Sequence, residues 1–485
     1  MIKLALCSFF IVGICVLPLH ANEDSHVELD VVKTNQLSSR NEFANNPAMA
    51  LSDDGAGWVA WIRHHAELGA VVVVAEEDGK VSVLTESPGQ YLRPVMAASG
   101  DQLQCVWTQT DHDQVAAVWV ASGRNGVWSK PQRLVPGETR AHQNPEISAG
   151  PDGRFAVVYQ VHDGQEYDIY LKEGDKIKKI SEPGTNDWDP TVAFDGSGQV
   201  HVAWSGFKDG DYDIYWKRGD SASRRISSRG QYDLHPWLSA AADGRVWATW
   251  DAVELPGHAN SGVTTIVGAN PGHKIPSNYG DGQHSWIEVR VLQGDSVLVP
   301  GDPRQQIVPP SGYETSHAAL PKIVVGPKGG SWIVYRALHK QSDGSWLPRD
   351  GTLYYWDLVA RPFRDGRWQD PVRFDLSDGY VEEASVASGP QGICVVYGGE
   401  QRVTSPQRLK HFREATSKPD PDNHHSDFIG KVGCNGAVYL AKLQDRDEEA
   451  LELATAPPLQ DQAMPSRSRA EPYEVKVNNK SYRLL

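Results

Sequence analysis

Cysteine is scarce: five residues in 485, of which Cys7 and Cys15 lie inside the first apolar stretch. The other three, Cys105, Cys394 and Cys434, cannot all pair, which argues against a disulfide-framed scaffold. Cys394 and Cys434 fall in one repeat and either pair or stand as buried thiols on strands. Positive charge is also short, since 47 Lys and Arg against 62 Asp and Glu leave a formal charge of −15. A nucleic-acid partner, which a basic face must neutralise, is therefore not expected. After the N-terminus no apolar run approaches the roughly 20 residues of a membrane-crossing helix. The first 21 residues are the exception: Lys3, an apolar run from Leu4 to Leu17, and a small residue at Ala21. They read as a secretory signal over 1–21. The expectation is an exported chain, periplasmic or extracellular, with no membrane insertion once the signal is removed.

What is present in quantity is turn chemistry and large rings: 45 Gly, 31 Pro, 16 Trp and 17 Tyr. They are organised by an internal repeat. A polar residue and usually Pro open an alternating strand, a Gly turn follows, and a second strand ends on Trp or Tyr. The copies run from Asn46-Pro47 to Trp61, Arg93-Pro94 to Trp107, Asn144-Pro145 to Tyr159, Asp189-Pro190 to Trp204 and His235-Pro236 to Trp250. Two looser copies end at Tyr335 and Tyr397. The turns carry Asp54-Gly55, Asp152-Gly153, Asp195-Gly196 and Asp243-Gly244, pairs that accept left-handed backbone; Lys328-Gly329 and Gln391-Gly392 stand there later.

Third strands are predicted at 70–75, 115–120, 167–172, 212–217, 286–292, 352–358 and 436–442. Fourth strands follow at Val81–Thr85, Gln132–Val135, Lys176–Ile180, Arg224–Ile226, Gln305–Val308 and Val372–Phe374. That is six outer strands for seven repeats. The missing one has its counterpart in Val31–Leu37, ahead of the first repeat. The predicted fold is all-β: a seven-bladed β-propeller over 28–444, closed by pairing the N-terminal strand with the last blade, which removes the exposed edges of an open array. Residues 445–472 read as a flexible linker and 473–485 as a C-terminal strand or hairpin about Asn478-Asn479.

Residues 186–227 contain Asn-Asp-Trp-Asp-Pro, Ala-Phe-Asp-Gly, Val-Ala-Trp-Ser, Asp-Gly-Asp-Tyr-Asp-Ile-Tyr and Arg-Arg-Ile-Ser. This resembles the repeat of TolB-like β-propellers, and 144–181 repeat it with Asn144-Pro145 and Tyr167-Asp168-Ile169-Tyr170. The resemblance spans the propeller and is most specific in blades three and four. It implies an envelope location and a binding or scaffold role. The α/β domain that precedes the TolB propeller has no room here, so partner contacts made through that domain do not carry over.

In such a blade the fourth-to-first and second-to-third connections emerge on one face. The long insertions fall there: about thirty residues after Asp251, Arg336 to Arg349, and Gly398 to Gly433. So do the histidines that follow the N-terminal segment, except His201 on a strand: His64, His65, His112, His142, His162, His235, His258, His273, His284, His317, His339, His411, His424 and His425. Asn46, Arg93, Asn144, Asp189 and His235 should rim the central channel, with His142 and His317 just before their strands. Arg63, His64, His65, His162, Arg336 and His339 should form the next ring outward. These residues either bind a ligand or bind one another and close the channel.

Three functions fit. The first is a binding or scaffold module holding an envelope glycan or protein partner on the His-rich face. The second is a carbohydrate-active enzyme, most plausibly a polysaccharide lyase on uronate-containing glycans. It would use His64, His142 or His235 as base and Arg63, Arg93, Arg140 or Arg336 to neutralise the carboxylate. The third rests on Tyr482-Arg483-Leu484-Leu485, which resembles the lead-in to a PHP-type metal-dependent phosphoesterase and implies an accessory role. His64-His65 and His424-His425-x-Asp427 offer metal-ligand types without a ligand signature, so no metal or cofactor is assigned. The Ser-x-Asp-x-Gly-x-x-Trp box of sialidases is absent.

Overall fold

In the computed structural model, residues 31–38, 43–65, 69–76, 80–85, 89–110, 115–208, 210–228, 231–254, 285–301, 307, 317–342, 352–374, 380–390, 392–400, 436–443, 453–455, 473–477 and 480–484 are described. Seven sheets of four or five strands are built from consecutive antiparallel strands. Blade 1 is Phe43–Leu51, Gly57–His65, Gly69–Glu76 and Val81–Val83; blade 4 is Asn186–Phe194, Val200–Lys208, Asp211–Arg218 and Arg224–Arg225. The others follow the same plan. The N-terminal Val31–Gln36 pairs antiparallel with Gly436–Leu443 as the outer strand of blade 7. The fold is the closed seven-bladed β-propeller the repeats require, without a helix among the described residues.

Two repeated devices explain why these sequences form blades. Trp61, Trp107, Tyr159, Trp204, Trp250, Tyr335 and Tyr397, one per second strand, are all buried to within 2 %. They fill the seams between neighbouring sheets, and each ring can bury about 150–250 Å². The second device is a hydroxyl clasp. Thr85, Ser181 and Ser227, at the ends of fourth strands, accept the third-strand N–H of Val72, Ile169 and Ile214 at 2.9, 3.0 and 2.8 Å. In blade 7 that acceptor is Ser38, from the N-terminal strand, bonded by the N–H of Val438 at 3.0 Å. The closing strand thus carries the same polar anchor as a strand that follows its blade in sequence.

Four boundaries differ from the sequence reading. In blade 5 the third strand pairs with Ser296–Pro300, while Ile307, from the expected Gln305–Val308, makes an isolated bridge to Ile287. The expected insertion after Arg336 begins as a longer hairpin, because Ser331–Ser342 and Thr352–Arg364 stay paired to Ser342. In the blade 4 turn the left-handed position belongs to Gly198, not Gly196, because Asp195 opens a turn closed by the Gly198 N–H at 2.9 Å. Within the expected linker, Leu453–Thr455 adds a fifth strand to blade 5 on Leu298–Pro300, where an open edge offers unpaired backbone. Tyr473–Val477 and Lys480–Leu484 pair as a hairpin. The signal segment 1–21 and residues His112, His258, His273, His284, His411, His424, His425 and Cys434 lie outside the described residues. Cys394 is buried in blade 7 and Cys105 in blade 2.

Candidate functional site

The repeat's polar-Pro opening is a one-residue bulge. In all seven blades the pairing of first and second strands slips at this point. In six of them the residue before Pro takes left-handed backbone: Asn46, Arg93, Asn144, Asp189, His235 and Leu320, with φ of 44–54°. Asn, Asp and His tolerate that region best among residues with a side chain, whereas Arg93 and Leu320 sit there against preference. The bulge brings these positions around the mouth of the central channel. A cavity of about 280 Å³ is lined there by Asn46, Arg93, Asp189, His235 and Leu320, with Glu146, Lys322 and Glu383 one step deeper. Below it the channel continues between small residues such as Ala48, Ala50 and Ala97.

These side chains interlock. Arg93 donates to Asn144 and approaches Glu383 at 3.3 Å and Glu146 at 3.5 Å. Asn144 donates to Gln160 and, at 2.8 Å, to Asp189, whose own N–H is held by Gln160 at 3.1 Å. His235 donates from Nδ1 to Asp251 at 2.9 Å, and its Nε2 lies 3.8 Å from Asp189. The Lys322 ammonium sits 3.8 Å from the Trp237 ring centroid.

Burial and neighbouring charge set the protonation states. Burial pulls the His235 imidazole down, but Asp251 and Asp189 outweigh it and lift it to about 9, so it carries a proton at neutral pH. Burial raises the Glu146 carboxyl and lowers the Lys322 ammonium, drawing both toward neutrality against their mutual attraction. Glu383 goes the other way: burial is overcome by Arg93 and Lys322, and its carboxyl is held low. No hydroxyl or thiol lines this cavity. Its donors and acceptors are carboxylates, an amine, an imidazole, an amide and a guanidinium.

The expected rim residues Asn46, Arg93, Asn144, Asp189 and His235 do come together at the mouth. Others do not join them. His142 is buried against Tyr159, with ring centroids 5.1 Å apart, and burial pushes it down to about 4. It lies before the bulge, so its side chain turns into the seam between blades 2 and 3 instead of the channel. His64 packs edge-on against Phe43 at 4.8 Å, and His162 packs on Tyr167 at 4.6 Å. The Arg336 guanidinium lies 4.5 Å from the Trp356 centroid. Arg140 is tied to Glu138 at 2.6 Å and to Tyr170 at 3.2 Å. His317 and Arg63 stand on blades 6 and 1 and do not line the cavity, and the backbones of His65 and His339 are placed in second strands. His201 is structural: it bridges Trp216 Nε1 and Asp195, each at 3.2 Å. Among the described residues no group of three or more His, Cys, Asp or Glu is placed to hold a metal ion.

Sequence reasoning missed Glu146, Lys322, Glu383 and Asp251. Glu146 and Lys322 occupy the register that Ala48 and Val95 fill in blades 1 and 2. A charge where sister repeats are apolar was the available signal.

No protein-family model matches the chain, and no curated protein matches it. Solved structures do. A protein of unknown function from Dyadobacter fermentans is 13% identical with a TM-score of 0.42, over 68% of this chain and 98% of that one. TolB from Acinetobacter baumannii is 15% identical with a TM-score of 0.37, over 68% and 66%. Virginiamycin B lyase from Staphylococcus aureus is 11% identical with a TM-score of 0.40, over 85% and 99%. At these values the likeness is one of architecture.

Proposed function

We propose that this is an exported, TolB-like binding propeller that holds an envelope glycan or protein partner over the charged ring at the mouth of its channel. The observation that carries this reading is the ring itself. Of six left-handed positions on successive blades, strained for Arg93 and Leu320, five line one cavity and the sixth, Asn144, is bonded to two of them, Arg93 and Asp189. Strain concentrated at one place is a pointer to a site. The ring supplies cations at Arg93, His235 and Lys322 and carboxylates at Glu146, Asp189 and Glu383, which suits recognition by several simultaneous hydrogen bonds.

Catalysis by the lyase route finds less support. Its base would have to be His235, which is protonated, His142, which is shut into a seam, or His64, which packs on Phe43 away from the cavity lining. Thermal unfolding of the mature chain should be followed with neutral glycans, uronate-bearing glycans and an envelope-protein extract. A ligand at a hundred times its dissociation constant adds about 2.7 kcal/mol. The shift is expected to vanish in Asp189→Asn and His235→Gln. A shift that survives in both variants would remove the mouth as the site.

A further inference from the structure

Beside the ring, on the same face, two neighbouring seams carry matching aromatic triads. In the seam of blades 3 and 4, His162 and Tyr167 face each other across the strand pair at 4.6 Å, and Trp188 packs on Tyr167 at 4.3 Å with the rings tilted by 46°. In the seam of blades 4 and 5, Phe207 and Tyr212 pair at 4.7 Å, and Tyr232 meets Tyr212 edge-on at 5.2 Å. The buried seam aromatics of the second strands are covered completely, but all six of these rings are only partly buried. Trp188 directly precedes Asp189 of the ring, and Tyr232 stands three residues before His235. The Trp188 indole N–H is buried without a hydrogen-bond partner, so it is the ring faces that are left to a ligand.

Resting on the binding role proposed above, we infer that the mouth binds a neutral oligosaccharide, its sugar faces laid on the two aromatic triads of blades 3 to 5 and its hydroxyls bonded by Asp189 and His235. The pairing of chemistries argues for a sugar. An aromatic face is electron-rich and attracts the polarised C–H groups of a pyranose ring. Asp189 presents a carboxylate that accepts from hydroxyls, and the 40% exposed His235 side chain presents a donor. Two platforms one blade apart suit a chain of sugars more than a single one. Charge selects the neutral kind. The ring sets three cations (Arg93, Lys322, His235) against three carboxylates (Glu146, Asp189, Glu383), with buried Asp251 behind His235, on a chain of net charge −15, so a uronate polymer meets no positive field.

Titration calorimetry tests this with neutral glucan, mannan and N-acetylhexosamine oligosaccharides of four to six units, and with oligogalacturonate as the acidic counterpart. A neutral oligosaccharide is expected to bind, with at least tenfold loss in Trp188→Leu and in Tyr232→Leu and a comparable loss in Asp189→Asn. The unfolding midpoint of each variant is measured alongside. Saturation-transfer NMR on the unmutated chain gives a readout independent of folding, with magnetisation passing from aromatic protons to sugar C–H protons. Neutral binding that both aromatic variants leave intact, without such transfer, would overturn the inference and leave the mouth as a site. Preferential binding of oligogalacturonate would overturn it too. If no sugar binds but a protein ligand is lost in Asp189→Asn, the inference fails while the binding role stands. Binding that Asp189→Asn and both aromatic variants leave unchanged would remove both.

Discussion

His235 fills the polar-Pro slot of its repeat and His142 stands two residues before that slot, and the fold gives them opposite chemistry. His235 occupies the bulge and faces Asp251 and Asp189, which hold its proton to about 9, above the ordinary 6.5. The folded state therefore binds this proton more tightly than the unfolded chain does. Its stabilising contribution is complete below pH 6.5 and lost as pH rises toward 9. An NMR titration of the imidazole should give an apparent pKa near 9, falling in Asp251→Asn, and His235→Gln should flatten the alkaline loss of stability. His142 lies two residues before its bulge and is buried neutral, lowered to about 4 by burial. Its contribution is present above pH 6.5 and lost as pH falls toward 4, because only the unfolded chain takes up the proton there. Unfolding midpoints measured from pH 7 to 4 should fall less steeply in His142→Leu. The repeat placed His235 on the rim, but that His142 turns into a seam depends on side-chain parity across a bulge, and that parity is set by backbone pairing the sequence does not spell out.

At the scale of strands and turns, far more was readable. The aromatic that recurs in each second strand, which runs at least three residues past it rather than ending there, predicts its burial, because only a seam between sheets can hold seven such rings in one register. Trp204, 2 % exposed and bonded through Nε1 to Asp187 at 3.0 Å, illustrates the return. Trp204→Ala should destabilise by about 3–5 kcal/mol in urea denaturation. The hydroxyl clasp was visible only as the Ile-Ser ends of blades 3 and 4. Its recurrence at Ser38, 400 residues from its partner Val438, emerges only when the chain closes. Ser38→Ala leaves the Val438 N–H without its acceptor and should lower stability by about 1–3 kcal/mol. If denaturation shows no loss there while Ser227→Ala loses that amount, the N-terminal strand is not an integral part of blade 7. Less legible were the outer strands of blade 5. There the third strand turns back at once into Ser296–Pro300, and a distant segment, Leu453–Thr455, covers the edge. Short outer strands carry little periodicity of their own, so their partners are fixed by which edges stay open.

For the molecule as a whole, closure turns seven similar repeats into one unequal object. Every blade contributes the same backbone device to the channel mouth, but the side chains on it differ, so charge, aromatic surface and small residues are distributed around a single axis. The opposite face repeats tight Gly turns closed by bonds such as Gly55 N to Ser52 O and Gly153 N to Gly150 O, at 2.8 and 3.2 Å. The proposed binding therefore belongs to one face. Hydrogen exchange of the protein, with and without a bound oligosaccharide, tests this directly. Slowed exchange is predicted for peptides covering 43–49, 90–96, 141–148, 186–192 and 231–238. Protection confined to the turns at 52–56, 150–154, 195–199 and 241–245, with the mouth peptides unchanged, would contradict the account.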